Sequence, residues 1–382
     1  MVVMSKARTM LDSVALAGAL AGIFAFASVA SGCDTRDPAT PAPPVDAGTT
    51  PVAPSLPGPS ASPLELGREL YGRYCGFCHG AQGQGYAADS SPAIGNEEFL
   101  AIASDEFLRS AITRGRPGTV MSAWGKDKGG PLDASSVDAL VLAIRAWQKR
   151  PYASVDALAV TGDAARGVAP YETHCKGCHG AEGAGGPLVS LSNPEFLATA
   201  SDGFLATTLE RGRPLTPMGI FTSVLDAQGR ADVVALVRSW QKPIDTAVVP
   251  LPPAPGALGS VVLNPGGPEP NFDPAADFVP ADLVKAELDR GATMVIADAR
   301  APSDYVAMHV RGAVSVPFYQ VASYAPEVPK ERFVVTYCAC PHAISGQARD
   351  AFRALGYRSS VLDEGVLVWR DRGYPVRGGA SP

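Results

Sequence analysis

The chain is poor in the features that mark nucleic-acid-binding proteins and disulfide-framework proteins. Its 32 lysines and arginines are outnumbered by 38 aspartates and glutamates, the formal net charge is −6, and no basic run occurs, which argues against a nucleic-acid partner. Histidine is scarce, with five residues. The seven cysteines form one single residue and three close pairs, unlike the dispersed cysteines of a disulfide framework.

Length and composition instead indicate a multidomain protein. At 382 residues the chain exceeds one ordinary core, and a prior of about 150 residues per domain predicts two or three domains. Two stretches rich in Pro, Ala and Gly predict extended linkers, because they hold too few large apolar groups to offset the entropy of ordering. The predicted division is a signal peptide over 1–32, a tether over 33–62, helical domains over 63–150 and 151–242, a linker over 243–271 and an α/β domain over 272–382.

The N-terminus has the layout of a secretory signal peptide, with Lys6 and Arg8 before an apolar stretch from Val14 to Ala30. The stretch ends in VASGC, which resembles the bacterial lipobox, although Ala30 stands where leucine is usual. We therefore predict that Cys33 is lipidated; an uncleaved membrane anchor and a plain signal peptide are the alternatives. All three place the rest of the chain in the bacterial periplasm or cell envelope, and acylation would tether it to a membrane.

Between the linkers the sequence contains two copies of one module. Cys75 and Cys175 lie 100 positions apart, three later pairs lie 97 apart, and Trp147 and Trp240 lie 93 apart. An offset that drifts by a few residues indicates small deletions in loops. Each copy opens and closes with apolar residues at helical spacing, which predicts two all-α modules.

Each module carries a Cys-x-x-Cys-His motif after its opening helix. In a helical turn Cys75, Cys78 and His79 point the same way, so two thiols can bind the vinyl groups of a haem while the histidine binds its iron. The alternatives are a zinc half-site, a redox disulfide and a structural bridge. Zinc would need further ligands, yet the only spare histidine between the linkers is His174. The corresponding residues of the second copy are Cys175, Cys178 and His179.

Met121 and Met218 are the only methionines between the two linkers, and they end the matching segments RGRPGTVM and RGRPLTPM. The alternative to a functional role is that each fills an apolar core. One methionine per module, at one equivalent position, predicts a distal iron ligand instead. Because a thioether favours ferrous iron and leaves no position for oxygen, such a site would transfer electrons.

The two modules resemble class I cytochrome c domains from about Pro63 to Lys242. This resemblance implies two covalently bound haem c groups and electron exchange with redox partner proteins. The family places a proline carbonyl against the proximal histidine, and Pro187 fits that role for His179, whereas Pro92 of the first copy does not align cleanly.

From Asp277 onward, short β-branched runs alternate with helical segments, which predicts an α/β domain with a parallel sheet. The segments ADARAPSDYVAMHVRGAVSVP and VLDEGVLVWRDRGYPV resemble the opening and closing motifs of the rhodanese family. That resemblance puts Cys338 at the nucleophile position, after a strand, with backbone N–H groups around its sulfur up to a helix that begins near Ser345. It implies transfer of sulfane sulfur from donors such as thiosulfate.

The loop CACPHAIS departs from the family pattern, because it lacks the usual glycine and arginine and is one residue longer. His342 is then the candidate cation beside the sulfur. Cys340 is a second thiol, which we expect to resolve a persulfide on Cys338. The alternative is a catalytically silent domain used for docking.

The whole sequence thus predicts a dihaem c-type cytochrome of the cell envelope with a rhodanese-like domain. Electron carriage is the favoured function, and sulfurtransferase-like enzyme activity stays open. One alternative is a sulfur-oxidising enzyme that uses Cys338 and passes electrons out through the haems. The other is an adaptor whose C-terminal domain docks a redox partner.

Overall fold

The structure is a computed structural model that describes residues 62–86, 90–244, 250–339 and 343–382. The predicted signal peptide, Cys33 and all but the last residue of the tether lie outside these ranges, as do Cys340 and His342. Within the described ranges, no helix combines the length and the apolar character needed to cross a bilayer.

The first helical unit, module 1, consists of five α-helices. They are α1 (Pro63–Tyr74), α2 (Gly76–His79), α3 (Glu97–Leu100), α4 (Asp105–Arg114) and α5 (Ala134–Arg145). Ser62 and Glu65 cap the start of α1 reciprocally, each side chain accepting from the other's backbone N–H, as the sequence predicts. Helix α1 crosses α5 so closely that a Cβ on Gly67 would lie 1.9 Å from the carbonyl oxygen of Ala139.

The second helical unit, module 2, repeats this arrangement. Its helices are α6 (Ala164–His174), α7 (Lys176–His179), α8 (Pro194–Thr199), α9 (Asp202–Arg211) and α10 (Ala227–Ser239). Gly167 meets the carbonyl of Asp232 as Gly67 meets that of Ala139. Pro170 does not end the opening helix, because α6 continues through it to His174.

The two modules pack against each other through a joint whose contacts are related by the repeat. The Asn96 side-chain amide donates to the Pro214 carbonyl (2.9 Å), and the equivalent Asn193 amide donates to the Pro117 carbonyl (2.9 Å). Four phenylalanine rings meet beside these contacts: Phe99, Phe107, Phe196 and Phe204. The modules are therefore joined by direct, reciprocal contacts.

The C-terminal domain is an α/β unit with a five-stranded parallel sheet, as predicted. Its strands are β1 (Phe278–Val279), β2 (Val295–Asp298), β3 (His309–Val310), β4 (Val314–Ser315), β5 (Phe333–Tyr337), β6 (Arg358–Leu362) and β7 (Val376–Arg377). Its helices are α11 (Ala281–Asp289), α12 (Pro302–Ala307), α13 (Val321–Tyr324), α14 (Ser345–Ala354) and α15 (Gly365–Asp371). The sheet order is β1-β6-β5-β2-β4 with every pairing parallel, and β3 pairs with β7 in a separate antiparallel ribbon.

Both faces of this sheet are covered. In β2, Val295 and Ala297 enter one apolar cluster and Ile296 enters another, because successive strand residues point to opposite faces. The near-continuous apolar runs of β2 and β5, which are buried along their whole length, have the composition expected of parallel strands buried on both sides.

The described part of the second linker, residues 250–271, does not form a free tether. Leu258 and Val261 are buried, and the Glu327 carboxylate accepts the N–H groups of Gly256 (2.6 Å) and Leu258 (2.7 Å). This part of the linker therefore packs on the C-terminal domain.

Candidate functional sites

The two Cys-x-x-Cys-His segments fold identically at the ends of the opening helices. Cys75 is the C-cap of α1, and its N–H donates to the Tyr71 carbonyl (2.9 Å). The His79 N–H then donates to the Cys75 carbonyl (3.0 Å), which closes the short helix α2. In module 2, Cys175 makes the same bond to the Tyr171 carbonyl (2.8 Å). Each motif is thus presented as one tight helical turn, the geometry expected from its spacing.

Each motif histidine is oriented by a backbone carbonyl. Nδ1 of His79 lies 2.9 Å from the Pro92 oxygen, and Nδ1 of His179 lies 2.7 Å from the Val189 oxygen. A carbonyl only accepts, so Nδ1 carries the proton and Nε2 keeps the lone pair that binds a metal. Burial also lowers the pKa of both imidazoles, with the carbonyl opposing the shift. Both imidazoles are therefore neutral at physiological pH.

The carbonyl partner in module 2 differs from the predicted one. Pro187 is exposed, and Val189, two residues later, faces His179. Pro92 and Val189 are 97 positions apart, the same offset as the residue pairs that follow them in the repeat. The deletion in module 2 therefore lies between His179 and Val189. The role of Pro187 is corrected to Val189, because a backbone oxygen can be offered by any residue type.

A second pair of contacts fixes the loop below each motif. The Tyr71 hydroxyl donates to the Gly80 carbonyl (2.7 Å), and the Tyr171 hydroxyl donates to the Gly180 carbonyl (2.8 Å). The edges of Trp147 and Trp240 pack on these tyrosine rings, with centroids 4.8 and 4.9 Å apart. The two tyrosine hydrogen bonds were not predicted from the sequence.

The methionine loops of the two modules form equivalent hydrogen bonds. The Arg116 N–H donates to the Met121 carbonyl (2.8 Å), and the Thr119 hydroxyl donates to the Arg116 carbonyl (2.7 Å). The Arg213 N–H donates in the same way to the Met218 carbonyl (2.8 Å). These bonds close a loop that turns back toward the helices, and both methionine side chains are half-buried against the apolar cluster.

Module 2 has a cavity of about 210 Å³ that brings together four of its predicted site residues, whereas Pro187 does not line it. Cys175, Cys178, His179 and Met218 all line it. The rest of the wall is mainly apolar, with leucine, valine and phenylalanine side chains from α8, α9 and α10. His174 also reaches the rim and is exposed, as expected. An imidazole and a thioether in an apolar chamber beside two thiols fit a covalently attached haem.

The wall of this cavity includes part of module 1. Tyr86, Pro92 and Ala93 line it, and the Tyr86 hydroxyl bonds to Thr216. Pro92 therefore borders both sites, because its carbonyl holds His79 while the residue lines the chamber of His179. The two candidate sites are neighbours across the joint, which sequence spacing alone does not reveal.

The first cysteine of each motif lies in apolar surroundings. Burial raises the pKa of Cys75 to about 12 and that of Cys175 to about 11, with the second motif cysteine adding to each shift. Both sulfurs are therefore neutral near pH 7.

Arg213 is a site residue that sequence reasoning missed. Its side chain is buried in the wall of the cavity, where it donates to the Gly212 carbonyl (2.9 Å) and the Thr208 hydroxyl (2.6 Å) and lies over the Phe204 ring. Burial lowers its pKa to about 10. The Glu98 carboxylate opposes this shift. The doubled RGRP segment was the available signal.

The predicted sulfur site lies at the end of the central strand β5. Cys338 is buried, and its Sγ lies 3.3 Å from the Ser345 hydroxyl oxygen. Ser345 is the first residue of α14, as expected, and the Cys338 carbonyl accepts the Val366 N–H (2.9 Å). The structure therefore brings Cys338 and Ser345 together, while Cys340 and His342 lie outside the described residues.

A buried ion pair supports the strand that carries this cysteine. Arg300 binds both oxygens of Asp298, with Nε 2.9 Å from Oδ1 and Nη2 2.6 Å from Oδ2. The Tyr337 hydroxyl accepts the Val310 N–H (3.0 Å). His309 stacks on Tyr305 with centroids 3.9 Å apart. Asp298, Arg300, Tyr305, His309 and Val310 belong to the opening motif, and these contacts pack it within the domain.

Two family models match the chain. Residues 62–141 and 162–237 match the model for cytochrome c oxidase, cbb3-type, subunit III, and residues 280–372 match the model for the rhodanese-like domain. The matched segments follow the two modules and the α/β domain.

Individual relatives cover parts of the chain. It is 30% identical over 196 residues to the cbb3-type cytochrome c oxidase subunit CcoP of Azospirillum sp. (strain B510), which covers 48% of this chain and 57% of that protein. It is 34% identical over 115 residues to an HTH-type transcriptional regulator of Mycobacterium tuberculosis, covering 28% of this chain and 50% of the regulator. The chain thus spans about half the length of the curated relatives it matches.

Among solved structures, a chain of the reducing HAO-like protein complex of Kuenenia stuttgartiensis is 22% identical. The match covers 46% of this chain and 96% of that one, with a TM-score of 0.32. A TM-score this low supports no inference about function.

Proposed function

The chain joins a cytochrome region like subunit III of cbb3-type oxidases to a rhodanese-like domain, and we propose that it is a dihaem electron carrier of the bacterial cell envelope. A cytochrome c region implies covalently bound haem c. The finer proposal is that each module holds one such group and that the C-terminal domain handles sulfane sulfur. The observation that carries the haem proposal is the cavity of module 2, which is lined by both motif cysteines, the motif histidine and the equivalent methionine.

The residues proposed to hold the groups follow from the repeat. In module 1, Cys75 and Cys78 would form the thioethers, and His79 and Met121 would be the axial ligands. In module 2 the same roles fall to Cys175, Cys178, His179 and Met218. Haem iron held between an imidazole and a thioether exchanges single electrons at a raised potential and has no vacant position.

The chain's own residues orient and tune these ligands. The carbonyls of Pro92 and Val189 fix the imidazole tautomer and its ring direction. The buried Arg213 guanidinium, which lines the cavity, would bind the propionate carboxylates. Because Pro92 borders both sites, the residues that would hold the two groups meet at the joint between the modules.

The sulfur step is proposed for Cys338. The Cys338 thiolate would attack the outer sulfur of thiosulfate, forming a persulfide while sulfite leaves with the electron pair of the broken S–S bond. The Ser345 hydroxyl, 3.3 Å from Sγ, would donate to the thiolate and then to the persulfide anion. Cys340 and His342 keep their proposed roles as resolving thiol and cation.

An adaptor role for the C-terminal domain is the second candidate, and the contact of that domain with module 1 favours it. Phe318 and Tyr319 pack against Trp124 of module 1, with centroids 6.3 and 6.4 Å apart. A domain that serves only as a scaffold would make such a contact without using Cys338.

The electron-carrier proposal is tested by the intact mass and optical spectrum of protein matured in a host that attaches haem c. We expect the mass of the processed, lipidated peptide plus two haems, and plus one haem for the double variant Cys175→Ala/Cys178→Ala. A wild-type mass equal to peptide plus lipid would reject the proposal. A mass without lipid would remove only the anchor at Cys33.

The sulfur proposal is tested by thiocyanate formation from thiosulfate and cyanide. Cys338→Ala should abolish it, and Ser345→Ala should slow it about tenfold, the effect of losing one hydrogen bond to a charged group. The matched control is Ser359→Ala, a buried serine elsewhere in the sheet. A wild-type protein that forms no thiocyanate would leave the adaptor role, and activity that survives Cys338→Ala would reject Cys338 as the sulfur acceptor.

A further inference from the structure

The two modules carry equivalent surfaces around their methionine loops. In module 1 the Trp124 N–H donates to the Ile112 carbonyl (3.0 Å), and in module 2 the Phe221 N–H donates to the Leu209 carbonyl (3.0 Å). Both pairs are related by the 97-residue offset, so residues up to Trp124 and Phe221 match one to one. We call the surface formed by residues 118–124 the methionine face of module 1, and the surface formed by residues 215–225 the methionine face of module 2.

The methionine face of module 1 is covered by the C-terminal domain. Trp124 is buried against Phe318 and Tyr319, and the Ser122 hydroxyl bonds to the Asp304 carboxylate. The preceding Val120 packs against the apolar cluster of that domain. This face therefore forms an interface within the chain.

In module 2 the positions that match Val120 and Ser122 are Pro217 and Gly219, which are exposed, and the apolar side chains beside them are exposed as well. Leu215 is 105% exposed and Ile220 is 57% exposed, and Val224 just beyond them is 53% exposed. The whole stretch 215–225, LTPMGIFTSVL, contains no charged residue. Exposed apolar side chains concentrated in one uncharged stretch mark an interaction surface.

This bare face adjoins the cavity of module 2. Pro217, Met218 and Phe221 belong to the stretch 215–225 and also line the cavity. A protein seated on the face would therefore lie against the wall of the candidate haem site. The charge-free stretch provides no ionic steering, so association would depend on burial of apolar surface and change little with salt.

We propose that residues 215–225 are the docking surface for a separate redox protein whose contact patch is itself apolar and uncharged. The C-terminal domain is then the resident partner on the equivalent face of module 1. Electrons enter or leave the protein at module 2, and module 1, next to the rhodanese-like domain, exchanges electrons only within the protein. This inference rests on the proposed haem in module 2.

The test uses the full-length holoprotein, after intact mass has established that each variant carries the wild-type number of haems. Reduced protein is mixed in a stopped-flow instrument with a small blue-copper protein whose copper lies beneath an uncharged apolar patch. Hexacyanoferrate(III), a small anion that needs no docking surface, is the second oxidant. The variant is Leu215→Glu/Ile220→Glu, and the matched control is Leu142→Glu, at a 50% exposed leucine on α5 of module 1.

We expect the double variant to slow oxidation by the blue-copper protein at least tenfold and oxidation by hexacyanoferrate less than threefold, and the control to change neither. The wild-type rate with the blue-copper protein should vary less than twofold between low and high salt. Equal rates for wild type and double variant would overturn the proposal. Two further results would overturn the proposal. If the wild type is a dimer and the double variant is a monomer, a second copy of the chain occupies the face. If the wild type binds neutral lipid vesicles and the double variant does not, a lipid surface occupies it. Loss of haem in the wild type would instead reject the proposed function.

Discussion

Arg114 of module 1 and Glu195 of module 2 form a two-point ion pair across the joint, with Nε 2.7 Å from Oε2 and Nη2 2.8 Å from Oε1. The Glu195 side chain is 7% exposed and the Arg114 side chain 28% exposed. The repeat-related pair, Arg211 and Glu98, is looser, with a closest distance of 3.9 Å. The joint therefore has one well-formed ion pair where its symmetry would allow two.

Removing the arginine of this pair should loosen the joint. Arg114→Ala leaves the Glu195 carboxylate buried and unpaired, so we expect a loss of about 2 kcal/mol in the free energy of unfolding, below the value for a fully buried pair because Arg114 is partly exposed. The matched control is Arg109→Ala, whose partner Asp138 is exposed, with an expected loss of about 0.5 kcal/mol. Denaturant unfolding followed by near-UV circular dichroism measures both. Equal losses in the two variants would show that the joint does not depend on this pair.

Two glycines of α1, Gly67 and Gly72, differ in the space that an added methyl group would have. A Cβ on Gly67 would lie 1.9 Å from the Ala139 carbonyl oxygen, whereas a Cβ on Gly72 meets nothing within 4 Å. Gly67→Ala should force the helices apart and destabilise the protein by about 3 kcal/mol, the upper range for overpacking. Gly72→Ala should instead stabilise it by about 0.5 to 1 kcal/mol, because alanine loses less backbone entropy in a helix.

Thermal unfolding of the two variants side by side gives the measurement. A melting temperature of Gly67→Ala at or above that of the wild type would mean that the crossing is wider than described.

The local parts of this fold were predictable from the sequence, and the contacts between parts were not. Helical spacing predicts α1 and the turn that presents Cys75, and alternating β-branched runs predict the parallel sheet ending at Cys338. Those features depend on neighbouring residues, which sequence periodicity records.

The missed features depend on backbone atoms or on the packing of whole units. Val189 could not be identified as the partner of His179, because a backbone carbonyl has no signature in the side chain. The burial of Arg213 in the cavity wall and of Trp124 beneath Phe318 depends on how whole units pack. A basic or aromatic residue in a loop looks the same in the sequence whether it is buried or exposed.

The methionine assignments predict separate changes in two redox centres. Met218→Ala should lower the potential of one haem and Met121→Ala that of the other, each on the order of 0.1 V, because axial ligands set haem potentials over a range of about 0.8 V. Potentiometric titration followed optically resolves the two transitions. Met308→Leu, in the C-terminal domain, is the matched control and should leave both potentials unchanged. If neither alanine variant moves a potential, the two methionines are core residues.

The contact between Asp304 and module 1 predicts a pH-dependent gain in stability on removing a charge. Burial beside module 1 raises the pKa of Asp304, although Arg300 and the Ser122 hydroxyl oppose the shift. A carboxyl whose pKa is raised on folding destabilises the folded state as pH climbs above its unfolded pKa of about 3.9, because the ionised form is desolvated. Asp304→Asn keeps the neutral shape, so it should raise the melting temperature at pH 7 and have no effect at pH 3. Asp371→Asn, at an exposed carboxylate in the same domain, should change neither value. A lower melting temperature of Asp304→Asn at pH 7 would mean that the charge of Asp304 stabilises the interface, through Arg300, more than its desolvation costs.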